Sequence, residues 1–83
     1  METFDTVRRE DQVKVKIFGP DGSLLYEGEG SGYHTLENAI EEMLSRANIS
    51  ISPEDCVFEV ANETTGVDHK YRFNAHGHLK LII

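Results

Sequence analysis

One segment of the chain, residues 35–48, has the amphipathic pattern of a helix and limits what the other segments can form. Its apolar residues recur at helical spacing and therefore share one stripe. The stripe consists of Leu36, Ala39, Ile40, Met43, Leu44 and Ala47. Thr35 is suited to cap the first turn, and Asn48 to the left-handed position that ends a helix. We therefore predict one long helix that buries its stripe against strands from the rest of the chain.

Two strands are predicted before the helix. Residues 12–18 and 23–30 alternate apolar and polar side chains, as half-buried strands do. Residues 19–22 have the glycines and proline of a tight turn, so the two strands are expected to form a hairpin.

The charges in this hairpin suggest its register. Placing Lys16 opposite Glu27 and Lys14 opposite Glu29 gives two pairs of opposite charge on the outer face. A shift by one residue would place both glutamates under the helix, where an unpaired charge is costly. The charge-paired register is therefore the prediction.

The same register makes two further predictions for the second strand. Phe18 is expected opposite Leu25 on the outer face. Gly28 and Gly30 fall on the inner face, and since neither has a side chain, the helix backbone is expected to approach closely there.

Three more strands are predicted after the helix, over residues 56–62, 67–73 and 78–83. They follow a short turn in which Ser52 is suited to be the N-cap and Pro53 the first helical residue.

The pairing of the third and fourth strands completes the predicted fold. Phe58 is expected opposite Phe73 on the inner face, with Glu59 opposite Arg72 outside. The element order is ββαβββ, one main helix on a five-stranded, mostly antiparallel sheet, which is a two-layer α+β domain. The sequence does not determine the order of the strands across the sheet.

The length of 83 residues is that of one small domain. Residues 1–11 are predicted to be a loose N-terminal arm and residues 12–83 the domain. The single cysteine, Cys56, excludes an internal disulfide framework. The sequence has no signal peptide and no apolar run near the ~18 residues of a membrane helix. We therefore expect a soluble, cytoplasmic protein that does not bind membranes.

The net charge of −7 limits the classes of partner. Direct binding to a nucleic-acid phosphate backbone is disfavoured. The acidic balance suits cations, a basic protein partner, mimicry of nucleic-acid charge, or only a well-solvated surface. A monomer is expected rather than a dimer.

The sequence contains no motif of catalysis or of cofactor binding. His76 and His78 lack the ligand spacing of zinc sites, and Cys56 is expected to face the core. Residues 28–32 form a glycine-rich stretch before the helix, but their spacing matches neither the Walker A motif nor the dinucleotide fingerprint. We therefore predict that the protein is not an enzyme and has no catalytic or cofactor-binding residue.

Carboxylates are the best candidate ligands in the sequence. Glu41 and Glu42 lie near the end of the predicted helix, and Glu54 and Asp55 lie in the turn that follows it. If the turn folds back, the four carboxylates converge and offer the hard oxygen ligands that suit calcium.

An alternative calcium site combines Glu63 with Asp68 in the following hairpin. In either place the EF-hand pattern is absent. A solvated acidic face is the competing interpretation for both groups of residues.

In its size, its acidity and its mixed α+β pattern, the chain resembles small acidic archaeal proteins, one of which binds calcium. The resemblance covers overall character rather than any motif. It implies a small binding module with a weak divalent-cation site. The alternative is a protein-interaction module or nucleic-acid charge mimic without a metal site.

Overall fold

The computed structural model describes residues 7–82. Its elements confirm the predicted order ββαβββ and the α+β class. In chain order they are β1 (Val13–Phe18), β2 (Leu24–Gly30), α1 (Leu36–Ala47), a 3₁₀ turn (Pro53–Asp55), β3 (Val57–Asn62), β4 (Val67–Phe73) and β5 (Leu79–Ile82). No helix within the described part of the chain is long and apolar enough to span a membrane.

The five strands form one sheet in the order β2-β1-β3-β4-β5, and all neighbouring strands are antiparallel. β1 has strand neighbours on both sides, and α1 contacts both β1 and β2. This position accounts for the complete burial of its inward residues, Val13, Val15 and Ile17, each of which is 0 % exposed. The helix and the sheet thus enclose one core between them.

The sequence signals at both ends of α1 are confirmed. The side-chain Oγ1 of Thr35 accepts the backbone N–H of Asn38 at 3.1 Å. Asn48 has a φ of 50°, and its N–H donates to the carbonyl of Leu44. The buried residues of the helix are Leu36, Ala39, Ile40 and Met43, with Leu44 and Ala47 partly buried beside them.

Ser52 is the N-cap residue of the short turn after the helix, as predicted, but its side chain does not cap the turn. The Ser52 hydroxyl makes no capping hydrogen bond, although Pro53 does occupy the first helical position. Instead the Ser52 carbonyl accepts the N–H of Asp55 at 2.9 Å. The backbone therefore closes this turn by itself.

The inward glycines of β2 make room for large side chains of the core. A Cβ atom on Gly28 would lie 2.8 Å from the sulfur of Met43 and equally close to the ring of Tyr26. One on Gly30 would lie 2.7 Å from the hydroxyl of Tyr33. Real Cβ atoms do not approach other atoms so closely. The two glycines therefore leave a gap in the covered side of β2, which we call the notch, and these large side chains fill it.

The register of β1 with β2 is confirmed at its charged positions and wrong at its end. Lys14 lies opposite Glu29 and Lys16 opposite Glu27, as predicted. The register then shifts between Ile17 and Phe18, so that Phe18 lies opposite Leu24. The extra residue, Leu25, packs against the core instead of joining the outer face.

The predicted register of β3 with β4 is wrong by two residues. Phe58 lies opposite Tyr71, and Glu59 lies opposite Lys70 rather than Arg72. The cause is the tight turn, in which the N–H of Gly66 donates to the carbonyl of Asn62 at 2.7 Å and fixes the last pair of the ladder. Phe58 still meets Phe73, but diagonally and edge to face, with ring centroids 5.5 Å apart.

The described part of the predicted N-terminal arm, residues 7–11, is held against the domain. Val7 is 8 % exposed and belongs to the core, and Asp11 is 4 % exposed. A carboxylate oxygen of Asp11 accepts the side-chain N–H of Asn62 at 2.8 Å and the backbone N–H of Arg8 at 3.0 Å. These bonds tie the segment before β1 to the end of β3. The rest of the predicted arm, including Phe4, lies outside the described residues, as does Ile83.

Candidate interaction surface

Within residues 7–82, the sheet has one face under α1, which we call the covered face, and one face on which no helix packs, which we call the open face. Alternate residues of each strand belong to one or the other, because side chains point to opposite sides of a strand. In β1 the covered-face residues are completely buried, whereas Lys14, Lys16 and Phe18 on the open face are half-buried.

The open face carries charges of both signs in nearly equal number. Five of the eight Lys and Arg residues of the chain lie on it, namely Lys14, Lys16, Lys70, Arg72 and Lys80. Its acidic residues, assigned from strand alternation and register, are Glu27, Glu29, Glu59, Glu63 and Asp68. The chain has a net charge of −7, so the excess of acid lies elsewhere. The open face is thus close to neutral on an otherwise acidic protein.

One end of the open face, which we call the acidic end, consists of Glu29, Glu63 and Asp68 around Lys14. Glu63 extends the ladder, because its N–H donates to the carbonyl of Gln12 at 2.8 Å. A hydrogen bond between the carboxyl groups of Glu29 and Glu63, followed by burial, raises the pKa of Glu63. Two carboxylates held this close repel one another.

Lys14 only partly offsets this acidic charge. Its ammonium lies 3.1 Å from a carboxylate oxygen of Glu27, the diagonal neighbour, rather than binding Glu29 directly opposite. The hydrogen bond that Lys14 donates to Glu27 raises the pKa of Lys14. Lys14, Glu27, Gly28 and Glu29 line a shallow depression of about 450 Å³.

The other end of the open face has a different composition, and we call it the apolar–basic row. Phe18 lies between Leu24 on β2 and Val57 on β3. Continuing the register of Phe58 with Tyr71 puts Arg72 beside Val57, and Lys80 lies opposite Arg72. Leu24 is 50 % exposed, and Phe18 and Val57 are half-buried. An aromatic and two aliphatic side chains therefore adjoin two cations.

The cations of the apolar–basic row have no acidic partner within the molecule as described. Over residues 7–82 the salt bridges are those of Lys14 with Glu27 and of Arg46 with Glu42. Arg72 and Lys80 face one another directly across two strands, an arrangement that destabilises a sheet. An anion bound from outside would relieve that repulsion.

The four carboxylates of the predicted calcium site lie on two separate elements. Glu41 and Glu42 are on α1, where Glu42 accepts hydrogen bonds from Arg46 and from the Tyr33 hydroxyl. Glu54 and Asp55 are exposed in the 3₁₀ turn, which contacts β4. Among residues 7–82, no three His, Cys, Asp or Glu side chains are placed to hold a metal ion together. Calcium binding by these residues stays a prediction.

Glu63 and Asp68, the alternative calcium ligands, likewise do not belong to any group of three possible metal ligands among the described residues. Glu63 approaches Glu29 of β2, a neighbour that sequence reasoning did not include. Asp68 lies opposite Ala61, one strand further across the sheet. The signal that could have found Glu29 is its predicted pairing with Lys14, once β3 is placed on the other side of β1.

The thiol of Cys56 and the hydroxyl of Tyr33, which could act as a nucleophile or as an acid, are both buried and hydrogen-bonded within the domain. Cys56 is 0 % exposed with its sulfur 3.6 Å from the Ser52 carbonyl, and burial raises the pKa of its thiol, so the reactive thiolate is disfavoured. Tyr33 is 5 % exposed and donates to Glu42 at 3.2 Å. Burial and that hydrogen bond raise the pKa of Tyr33.

The apolar–basic row was only partly foreseen, because Leu25 was predicted in the place that Leu24 occupies. The pairing of Arg72 with Lys80 also depends on the register of β4 with β5, which is not predicted from the sequence.

No protein-family model matches the chain, and no curated protein or solved structure gives a significant match to it.

Proposed function

We propose that the protein is an interaction module whose open sheet face binds a partner protein. The observation that carries the proposal is the apolar–basic row, in which exposed Leu24 and half-buried Phe18 adjoin the cations Arg72 and Lys80. Aromatic and arginine side chains together are typical of the energetic centres of protein interfaces.

The alternative is a sheet face that is merely solvated. On such a face, opposite charges would lie directly across neighbouring strands, as Lys16 and Glu27 do in register. The direct pairing of Arg72 with Lys80 is unfavourable for an isolated domain. A contact surface for a partner accounts for both the repulsion and the exposed apolar residues beside it.

The test is site-specific cross-linking in an extract of the source cells. A photoreactive residue at Val57 is expected to cross-link one defined protein, while the same residue at Asn38 on the exposed side of α1 serves as the control. The cross-link should disappear when Arg72 and Lys80 are both changed to Glu. Equal cross-linking from both positions, or none from Val57, would refute an interaction through the open face.

Calcium binding, predicted from the sequence, is the second candidate function. The proximity of Glu29 and Glu63 favours it, since a cation between the two carboxylates would relieve their mutual repulsion. A cation that binds only the folded protein would also raise its melting temperature.

The calcium hypothesis is tested by thermal unfolding in millimolar calcium against sodium at matched ionic strength. Calcium alone should raise the melting temperature. If the site is the predicted one, Glu54→Gln with Asp55→Asn removes the effect; if Glu29→Gln with Glu63→Gln removes it instead, the ligands are on the open face. Identical melting curves in the two salts would reject both sites.

A further inference from the structure

We infer that the partner bound by the open face presents an acidic, amphipathic segment to the apolar–basic row, an inference that rests on the proposed function. The segment is one in which apolar side chains alternate or cluster with Asp and Glu. Three features of the row lead to this chemistry.

The first feature is the apolar surface that a partner would cover. Leu24 is 50 % exposed, and the half-buried Phe18 joins it to Val57 on the far side of β1. Apolar area of this kind gains free energy when it leaves water, and a rigid aromatic ring does so at low entropic cost. The partner therefore contributes apolar side chains.

The second feature is the sign of the charge beside that surface. Arg72 and Lys80 lie directly opposite one another, and Lys70 lies two residues before Arg72 on β4, across from Glu59. None of the three cations makes a salt bridge with any residue in the described part of the chain. Carboxylates from outside would end the repulsion, and the guanidinium of Arg72 can hold one through two parallel hydrogen bonds. The partner therefore contributes Asp or Glu.

The third feature is the opposite charge at the other end of the face. Glu29, Glu63 and Asp68 lie there, and Lys14 is already engaged by Glu27. A uniformly charged polyanion lying along the strands would meet these carboxylates, whereas a peptide need be acidic only at one end. This disfavours a nucleic-acid backbone and favours a protein segment of limited length.

The experiment is a titration of the isotope-labelled protein, followed by its amide NMR signals, with two matched peptides. One alternates Leu and Glu around a central Phe, and the other has Lys in place of each Glu. The acidic peptide is expected to shift the amides of Phe18, Val57, Arg72 and Lys80 saturably, while the basic peptide leaves them unchanged.

Charge reversal identifies the residues responsible. Arg72→Glu with Lys80→Glu is expected to weaken binding of the acidic peptide about tenfold or more, since two charge-assisted contacts are lost. Arg9→Glu, which reverses the charge of one residue outside the strands, should bind as the unchanged protein does. If the double reversal does not fold, Arg72→Gln with Lys80→Gln takes its place and should still weaken binding.

Other outcomes overturn the inference in distinguishable ways. If the basic peptide alone shifts amide signals, and these belong to the acidic end of the open face, the interaction function stands and the inferred partner chemistry is wrong. If a single-stranded oligonucleotide shifts the amide signals of the apolar–basic row and the acidic peptide does not, the partner is not a protein segment. If neither peptide shifts the face while the cross-link from Val57 is formed, the inference fails and the proposed function survives. If the cross-link is also absent, both fail.

Discussion

The two faces of the sheet are made from the same strands and differ in almost every physical respect. On β1, Val13, Val15 and Ile17 are completely buried under the helix, while Lys14 and Lys16 between them keep contact with water. A substitution on the covered face must fit a packed core, whereas one on the open face meets few neighbours. Fold specificity is therefore concentrated on one face, and the other is available for function.

The largest expected effect breaks the covered face. Ile40→Asp should unfold the domain, because Ile40 is 0 % exposed and the new carboxylate would have no partner in the core. The expected loss is several kcal/mol, which is comparable with the whole stability of a small domain. Circular dichroism measures it. Asn38→Asp, on the exposed side of the same helix, should remain folded, and a folded Ile40→Asp protein would reject the two-layer packing.

A second prediction tests the notch on the covered face. Gly28→Ala should cost about 1–3 kcal/mol, because the added methyl group meets the Met43 sulfur and the Tyr26 ring. Glu27→Ala, the preceding residue on the open face, should cost less than about 1 kcal/mol. Urea unfolding of both proteins gives the comparison. A Gly28→Ala protein that equals or exceeds the original in stability would show that the notch does not exist.

A third prediction concerns the polar edge of the covered face, where Asn62 meets Asp11. Asn62→Ala should cost about 1–3 kcal/mol, since it removes the acceptor of the Thr64 and Thr65 N–H groups and leaves the Asp11 carboxylate without its strongest donor. Chemical unfolding at neutral pH measures this loss.

The same pair gives a pH dependence whose direction follows from the pKa. The hydrogen bond from Asn62, and then that from Arg8, lower the pKa of Asp11 in the folded protein. Its stabilising contribution is therefore complete above the unfolded value of about 3.9 and is lost as the pH falls through the lower folded value. Asn62→Ala should flatten this part of the acid-unfolding curve. Asn74→Ala, which removes a similar turn acceptor away from Asp11, should leave it unchanged.

The smallest expected effect is the coupling energy between two charged side chains of the open face. A double-mutant cycle of Lys14 with Glu27 should give a coupling of about 0.5 kcal/mol, because the pair is in contact but largely solvated. The cycle of Lys16 with Glu27 should give less, although those residues are directly opposite. The reverse ranking would show that the register, rather than the observed diagonal contact, determines the pairing.

Features of the fold that depend on residues close in the chain are predicted from the sequence, whereas features that depend on distant residues are not. The caps of α1 and the alternation of β1 depend on residues close in the chain, and both are confirmed. The bulge that turns Leu25 inward depends on packing at a distance, and nothing in the local pattern indicates it. The register of β3 with β4 follows from the four-residue turn between the strands, whereas pairing Phe58 with Phe73 predicts a register that is wrong by two residues.

The candidate surface was less predictable than the fold, for a physical reason. Arg72 and Lys80 come from separate strands, and only the sheet register makes them neighbours. Charge counted along the sequence gives a uniformly acidic protein, and only the fold separates the nearly neutral open face from the acidic remainder. Glu41, Glu42, Glu54 and Asp55 lie within a short stretch of sequence, yet they belong to two different elements.

The position of β1 between β2 and β3 also has a consequence for the order of events during synthesis. β1, β2 and α1 leave the ribosome first and can contact one another while β3 has not yet been made. Until it has, one edge of β1 lacks its neighbour, and its apolar side chains are covered only by α1. A strand with a free edge and an apolar face is able to pair with other chains. Slowing translation between α1 and β3 should therefore increase aggregation more than slowing it after β4.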